Sequence, residues 1–109
     1  MKSDGDERLV VQLPLSESTD FDELIEIENT LTLSFLNDRA AAMDGHALGE
    51  RTFNIFVVPR AAWGAVIARI KASLAESGLL DEALIARRTN AQEPYSVVWP
   101  DDYRGTFEL

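Results

Sequence analysis

The chain holds one histidine, His46, two positions after Asp44 and one after Gly45, and any imidazole-based acid–base or metal chemistry has to be built on that residue. A carboxylate beside an imidazole favours its charged form, so Asp44 is the expected partner if His46 moves a proton or holds a ligand. The competing reading is local, because Asp-Gly followed by a further glycine at Gly49 carries the residue types of a tight turn. There is no cysteine, which removes disulfides, thiolate metal sites and cysteine nucleophiles together and fits a cytoplasmic protein. With one histidine and no thiol, neither a metal site nor a cofactor is expected.

Two further side chains stand out by position. On a helical wheel Glu28 falls inside an apolar arc between Leu24, Leu31 and Phe35, and a carboxylate there must be paired, hydrogen-bonded or neutral. Arg39 and Arg51 are the cations the sequence offers it. Asn54 interrupts the run Phe53–Phe56 and, under strict alternation, shares a sheet face with Thr52 and Phe56. Asp44, His46 and Asn54 are therefore the candidate ligand-binding residues. No glycine-rich phosphate loop, nucleophile elbow, paired-glycine dinucleotide signature or kinase motif is present, so no catalytic residue is assigned and the chain reads as non-enzymatic.

Nineteen acidic residues against ten basic give a net charge of −9. That sign repels phosphate backbones and anionic lipid surfaces, which argues against nucleic-acid and membrane partners. The excess is concentrated where Glu17, Asp20, Asp22, Glu23, Glu26 and Glu28 follow one another with no intervening base. Such a patch suits a basic protein partner, with Asp22, Glu23 and Glu26 as the contact residues; the alternative is a solvated face that keeps the protein soluble.

The elements that must position these residues are readable from periodicity. A chain of 109 residues has the size of one α+β domain, with 1–7 and 101–109 as flanking extensions, and neither a secretory signal nor a membrane-spanning run is evident. Arg8 to Leu13 is an apolar strand stopped by Pro14. Asp20, with Glu23 three positions on, resembles a capping box opening a helix over 21–37. The same segment alternates at Ile25, Ile27, Leu31, Leu33 and Phe35, so a strand pair is the alternative. Arg39 to Met43 is a weak strand, Asp44 to His46 a hairpin connection, and Arg51 to Val58, rich in β-branched and aromatic residues, a central strand.

Trp63, Val66, Ile67, Ile70 and Leu74 recur at helical spacing, and Gly78 suits the helix's C-terminal end. Ala61, Ala65, Ala68, Ala72 and Ala75 form a second stripe, through helix propensity or as a subunit contact. Ala83 to Arg88 and Tyr95 to Trp99 read as a closing hairpin. The segment 101–109 keeps Tyr103, Phe107 and Leu109, apolar groups suited to docking on its own sheet or on a neighbour. Strand, helix, strand, strand, helix, strand is the order of a ferredoxin-like antiparallel sheet with both helices on one face, here with an added strand.

The segment Met43-Asp44-Gly45-His46-Ala47-Leu48-Gly49-Glu50-Arg51-Thr52-Phe53-Asn54-Ile55-Phe56-Val57 resembles one found in small uncharacterised bacterial proteins, where an aspartate-glycine turn and a strand of this kind precede an amphipathic helix. The resemblance implies a ferredoxin-like topology and a helix over 21–37; it brings no activity and no site residue. Together these readings lead to a non-catalytic, homodimeric protein-interaction module with an acidic surface. The alternative is a small-molecule-binding regulatory domain using the turn near Asp44 and the sheet face at Asn54.

Overall fold

In the computed structural model, which describes residues 7–109, seven elements build one antiparallel sheet and a layer of two helices. The strands are β1 (Arg8–Pro14), β2 (Ala41–Leu48), β3 (Thr52–Pro59), β4 (Leu84–Arg88) and β5 (Ser96–Trp99), and the helices α1 (Phe21–Leu36) and α2 (Trp63–Glu76). The sheet order is β2-β3-β1-β4-β5, every neighbouring pair antiparallel. Except for Glu7, the N-terminal extension expected at 1–7 lies outside the described residues. No helix among the described residues is long and apolar enough to cross a membrane.

Strand β1 is apolar from Leu9 to Leu13 except at Gln12, because both its faces are buried. Leu9, Val11 and Leu13 join the helix-side core with Phe53, Ile55, Val57 and Ile85, while Val10 and Gln12, also buried, point to the opposite face. Helix α1 starts at Asp20, whose side chain accepts from the Asp22 amide at 3.0 Å; the reciprocal Glu23 arm of a capping box does not form. The helix buries Leu24, Ile27, Leu31 and Phe35, a three-and-four spacing that overrides the period-2 alternation and removes the strand-pair alternative. Helix α2 buries Val66, Ile67, Ile70 and Leu74. It closes with Gly78 at φ 75°, the Leu79 amide donating to the Leu74 carbonyl at 2.9 Å and the Gly78 amide to that of Ala75 at 3.1 Å.

Arg69 clamps the two helices. It donates to the Ser34 carbonyl at 2.9 Å and to Asp38 at 2.5 Å, and its guanidinium lies 5.0 Å from the Phe35 ring centroid. The clamp satisfies a carbonyl of the last turn of α1, where no intrahelical donor remains.

The structure corrects the sequence reading around residue 44. Asp44-Gly45-His46 is not the hairpin connection. It lies inside β2, and the chain reverses at Gly49-Glu50-Arg51. Between Met43↔Val57 and His46↔Ile55 two residues of β2 oppose one of β3, a β-bulge that Gly45 accommodates at φ 81°. The extra residue shifts the alternation by one, so Met43 and His46 both face the helices.

The helix-free face is lined by the segment 100–109. The Glu108 carbonyl accepts from Gln12 Nε2 at 2.6 Å, and Phe107 packs on Tyr95 with ring centroids 5.9 Å apart. The backbone of Leu109 comes so near the β2–β3 turn that a Cβ on Gly49 would lie 3.0 Å from its carbonyl group and overlap the Thr52 hydroxyl.

Two predictions follow from these contacts. Gly49→Ala lowers stability by about 1–3 kcal/mol in denaturant unfolding, because the added methyl has neither space nor an easy way to make it. The hydrogen bond and charge of Arg69 hold the Asp38 carboxyl below the usual aspartate range. A carboxylate whose pKa is depressed by folding adds stability above its unfolded pKa and loses it as pH falls through the folded one. Acid titration of stability should therefore show an Asp38 component below about pH 4 that is missing from Asp38→Asn.

Candidate functional site

The bulge decides where the only histidine points. From β2, His46 stacks on Phe53 with ring centroids 4.8 Å apart, and its Nδ1 lies 2.7 Å from Glu28 Oε1 on α1. Phe53 also receives the edge of Phe21, centroids 5.6 Å apart. Glu28, the carboxylate out of place on an apolar arc, thus finds its partner in His46, and neither Arg39 nor Arg51 serves. Its side chain is 15% exposed against 34% for His46, so the imidazole shields it while keeping an edge to solvent. An imidazole and its carboxylate supply a base and the group that orients it, but among the described residues no nucleophile or oxyanion donor is hydrogen-bonded to them. The pair works here as a tie across the α1–β2 seam.

Asp44, the expected partner of His46, turns to the other face. Its Oδ2 accepts from Arg8 Nη2 at 2.6 Å, and the Arg8 guanidinium lies 5.3 Å from the Phe56 ring centroid. Asn54 is 1% exposed and saturated by its neighbours. Its Oδ1 accepts from Gln12 Nε2 at 2.9 Å, while its Nδ2 donates to Thr52 Oγ1 at 3.1 Å and the Ala47 carbonyl at 3.4 Å. Asp44, His46 and Asn54 therefore do not form one site. A one-residue bulge separates the first two, and the sheet separates Asn54 from His46.

Asp22, Glu23 and Glu26 lie on the first two turns of α1, exposed, without a cationic partner within ion-pair distance among the described residues. What the sequence did not suggest is their neighbour. A groove of about 200 Å³ is walled by Asp20, Glu23, Leu79 and Glu82, and a second of about 170 Å³ by Glu23, Glu26, Thr30 and Ser77. The turn after α2, with Asp81 and Glu82, thus stands beside the start of α1. Residues 9–38 and 72–86 contain no lysine, arginine or histidine, and the two stretches meet at this end of the molecule. Carboxylates predominate there, with apolar Leu79 between them. No group of three or more acidic or histidine side chains among the described residues is arranged to hold a metal ion.

No family model, curated protein or solved structure matches the chain.

The tie between Glu28 and His46 makes an unequal double-mutant prediction. His46→Ala strands a largely buried carboxylate and costs about 1–3 kcal/mol. Glu28→Leu combined with His46→Leu removes both polar groups and costs less than the single change. Urea unfolding of the two variants checks the order.

Proposed function

We propose that the chain is a non-catalytic protein-interaction module whose acidic end receives a basic protein segment. The observation that carries this reading is the meeting of the two base-free stretches, 9–38 and 72–86, at the start of α1. Charge of one sign gathered at one end steers an oppositely charged partner and orients it on encounter. The small grooves with Leu79 between the carboxylates add apolar contact for the stems of lysine or arginine side chains.

The arrangement we propose for the scaffold is ferredoxin-like with a fifth strand. The supporting features are the order β1-α1-β2-β3-α2-β4, the inner placement of β1 and β3, and the two helices sharing one core against one face. Such a scaffold hosts many functions and selects none. A homodimer belongs to the same proposal. With segment 100–109 on the helix-free face, its contact surface is the stripe Ala61, Ala65, Ala68, Ala72 and Ala75, all exposed, whose small side chains allow a second helix to approach closely.

A calorimetric titration with octalysine at low and at physiological salt tests the acidic end. Neutralising Glu23, Glu26 and Glu82 to glutamine should weaken binding about tenfold, at roughly 0.5 kcal/mol per exposed charge. Neutralising Glu50, Asp101 and Asp102, equally acidic but elsewhere, should leave it nearly unchanged. Equal losses from both triples would mean that net charge alone is felt and that there is no docking surface. Light scattering at high concentration addresses self-association, and a monomer mass removes it.

A further inference from the structure

The opposite end of α1 has the reverse character. Between its last turn and β2 lies an open cavity of about 600 Å³ lined by Thr32 and by apolar Phe35, Leu36, Ala41, Ala42 and Met43, together with the exposed Arg39 and Arg60. The two arginines are brought together by the backbone. The register Ala41↔Pro59 sets Arg60 across from Ala40, and the amide of Arg60 donates to the Ala40 carbonyl at 2.8 Å. In a chain of net charge −9, Arg8, Arg69 and Arg87 each hold a carboxylate; Arg39 and Arg60, like Arg51, Arg88 and Arg104, have none within ion-pair distance among the described residues, and these two line one cavity.

Arg39 also adopts φ 56°, a left-handed conformation at which glycine is far cheaper than any side chain. The chain thus carries a strained arginine where a helix end usually carries glycine, and strain of this kind gathers where a side chain has to be aimed.

We propose that this cavity binds an amphiphilic organic carboxylate, with its apolar body on Phe35, Leu36, Ala41 and Met43 and its carboxylate between the guanidiniums of Arg39 and Arg60. The volume falls in the range of small-molecule sites, about 300–1,000 Å³. Planar guanidiniums match a carboxylate through paired N–H donors. The C-terminal end of α1 presents roughly half a negative charge to the site, against two full positive charges at the rim, so the net field favours an anion. A peptide strand added to β2 is the weaker occupant, because the bulge at Asp44–Gly45 breaks the regular edge such a strand would need.

Decanoate is the probe, titrated into the intact protein by calorimetry and by amide chemical-shift mapping. Saturable binding should shift the amides of Phe35, Leu36, Ala41 and Met43. Arg39→Gln combined with Arg60→Gln should weaken it by about tenfold or more, the scale of lost charge-assisted hydrogen bonds. Both side chains are exposed, and an unchanged circular dichroism spectrum verifies the fold. Arg39→Gly should raise the melting temperature of the free protein while weakening decanoate. The site is overturned if decanoate does not saturate at millimolar concentration, if 1-decanol binds as well, or if the shifts fall elsewhere. Tighter binding of decyl phosphate would overturn the carboxylate in favour of a phosphate head. Competition by an acetylated Leu-Asp-Leu peptide at lower concentration than decanoate would overturn the small molecule in favour of a protein segment.

Discussion

Strand β1 is hydrogen-bonded along both edges and buried on both faces, and the remaining elements are arranged by what that requires. One side of Leu9, Val11 and Leu13 is met by two amphipathic helices, each supplying four buried side chains from a three-and-four repeat. The other side carries a glutamine in the middle of the strand, and an amide withdrawn from water must be answered in full. Its Nε2 donates both to Asn54 Oδ1 across the ladder and to the Glu108 carbonyl. The closing segment is thus held to the sheet by a polar requirement created at the centre of the domain.

The same economy governs the side chains that attract attention in the sequence. Glu28, His46, Asp44 and Asn54 each carry groups suited to chemistry, and each is occupied in holding one element to another. Glu28 and His46 tie α1 to the edge strand, Asp44 reaches Arg8, and Asn54 joins β3 to β1. Polar groups at such seams specify how elements meet more than they add to stability, since their interactions in the fold replace interactions with water. Among the charged groups of the described residues left without an ion-pair partner are the carboxylates at the start of α1 and the two arginines beyond its end.

Local periodicity made most of the architecture legible. The helices, the central strand ending at Pro59 and the closing hairpin all follow from repeats and stop signals within a dozen residues. Residues 44–46 were misread because Asp-Gly serves equally at a turn and at a bulge. Only the register against β3, which sets two residues of β2 opposite one, distinguishes the two. The partner of Glu28 was hidden for the same reason: the bulge inverts the face on which His46 should fall, and no single-strand pattern reveals an inserted residue. The patch formed by Asp22, Glu23 and Glu26 was visible as a run without bases, but its continuation at Asp81 and Glu82 depends on how α2 returns to the start of α1. The convergence of Arg39 with Arg60 likewise depends on the hairpin register, which the sequence does not spell out.

Helix α1, 16 residues and about 24 Å long, has carboxylates gathered at its amino end and arginines at its carboxyl end. The carboxylates of its first turn oppose its backbone dipole there, which stabilises the helix, while its last turn carries no base and Arg39 and Arg60 stand beyond it. Because the charges are whole and the backbone ends only about half a unit, the side chains outweigh the backbone around both ends of α1. In the field of a charged neighbour the domain therefore experiences a torque as well as an attraction. It turns its acidic pole toward positive charge before any contact forms, and by the same rotation carries the arginine-rimmed cavity to the far side, open to solvent while the other pole is engaged.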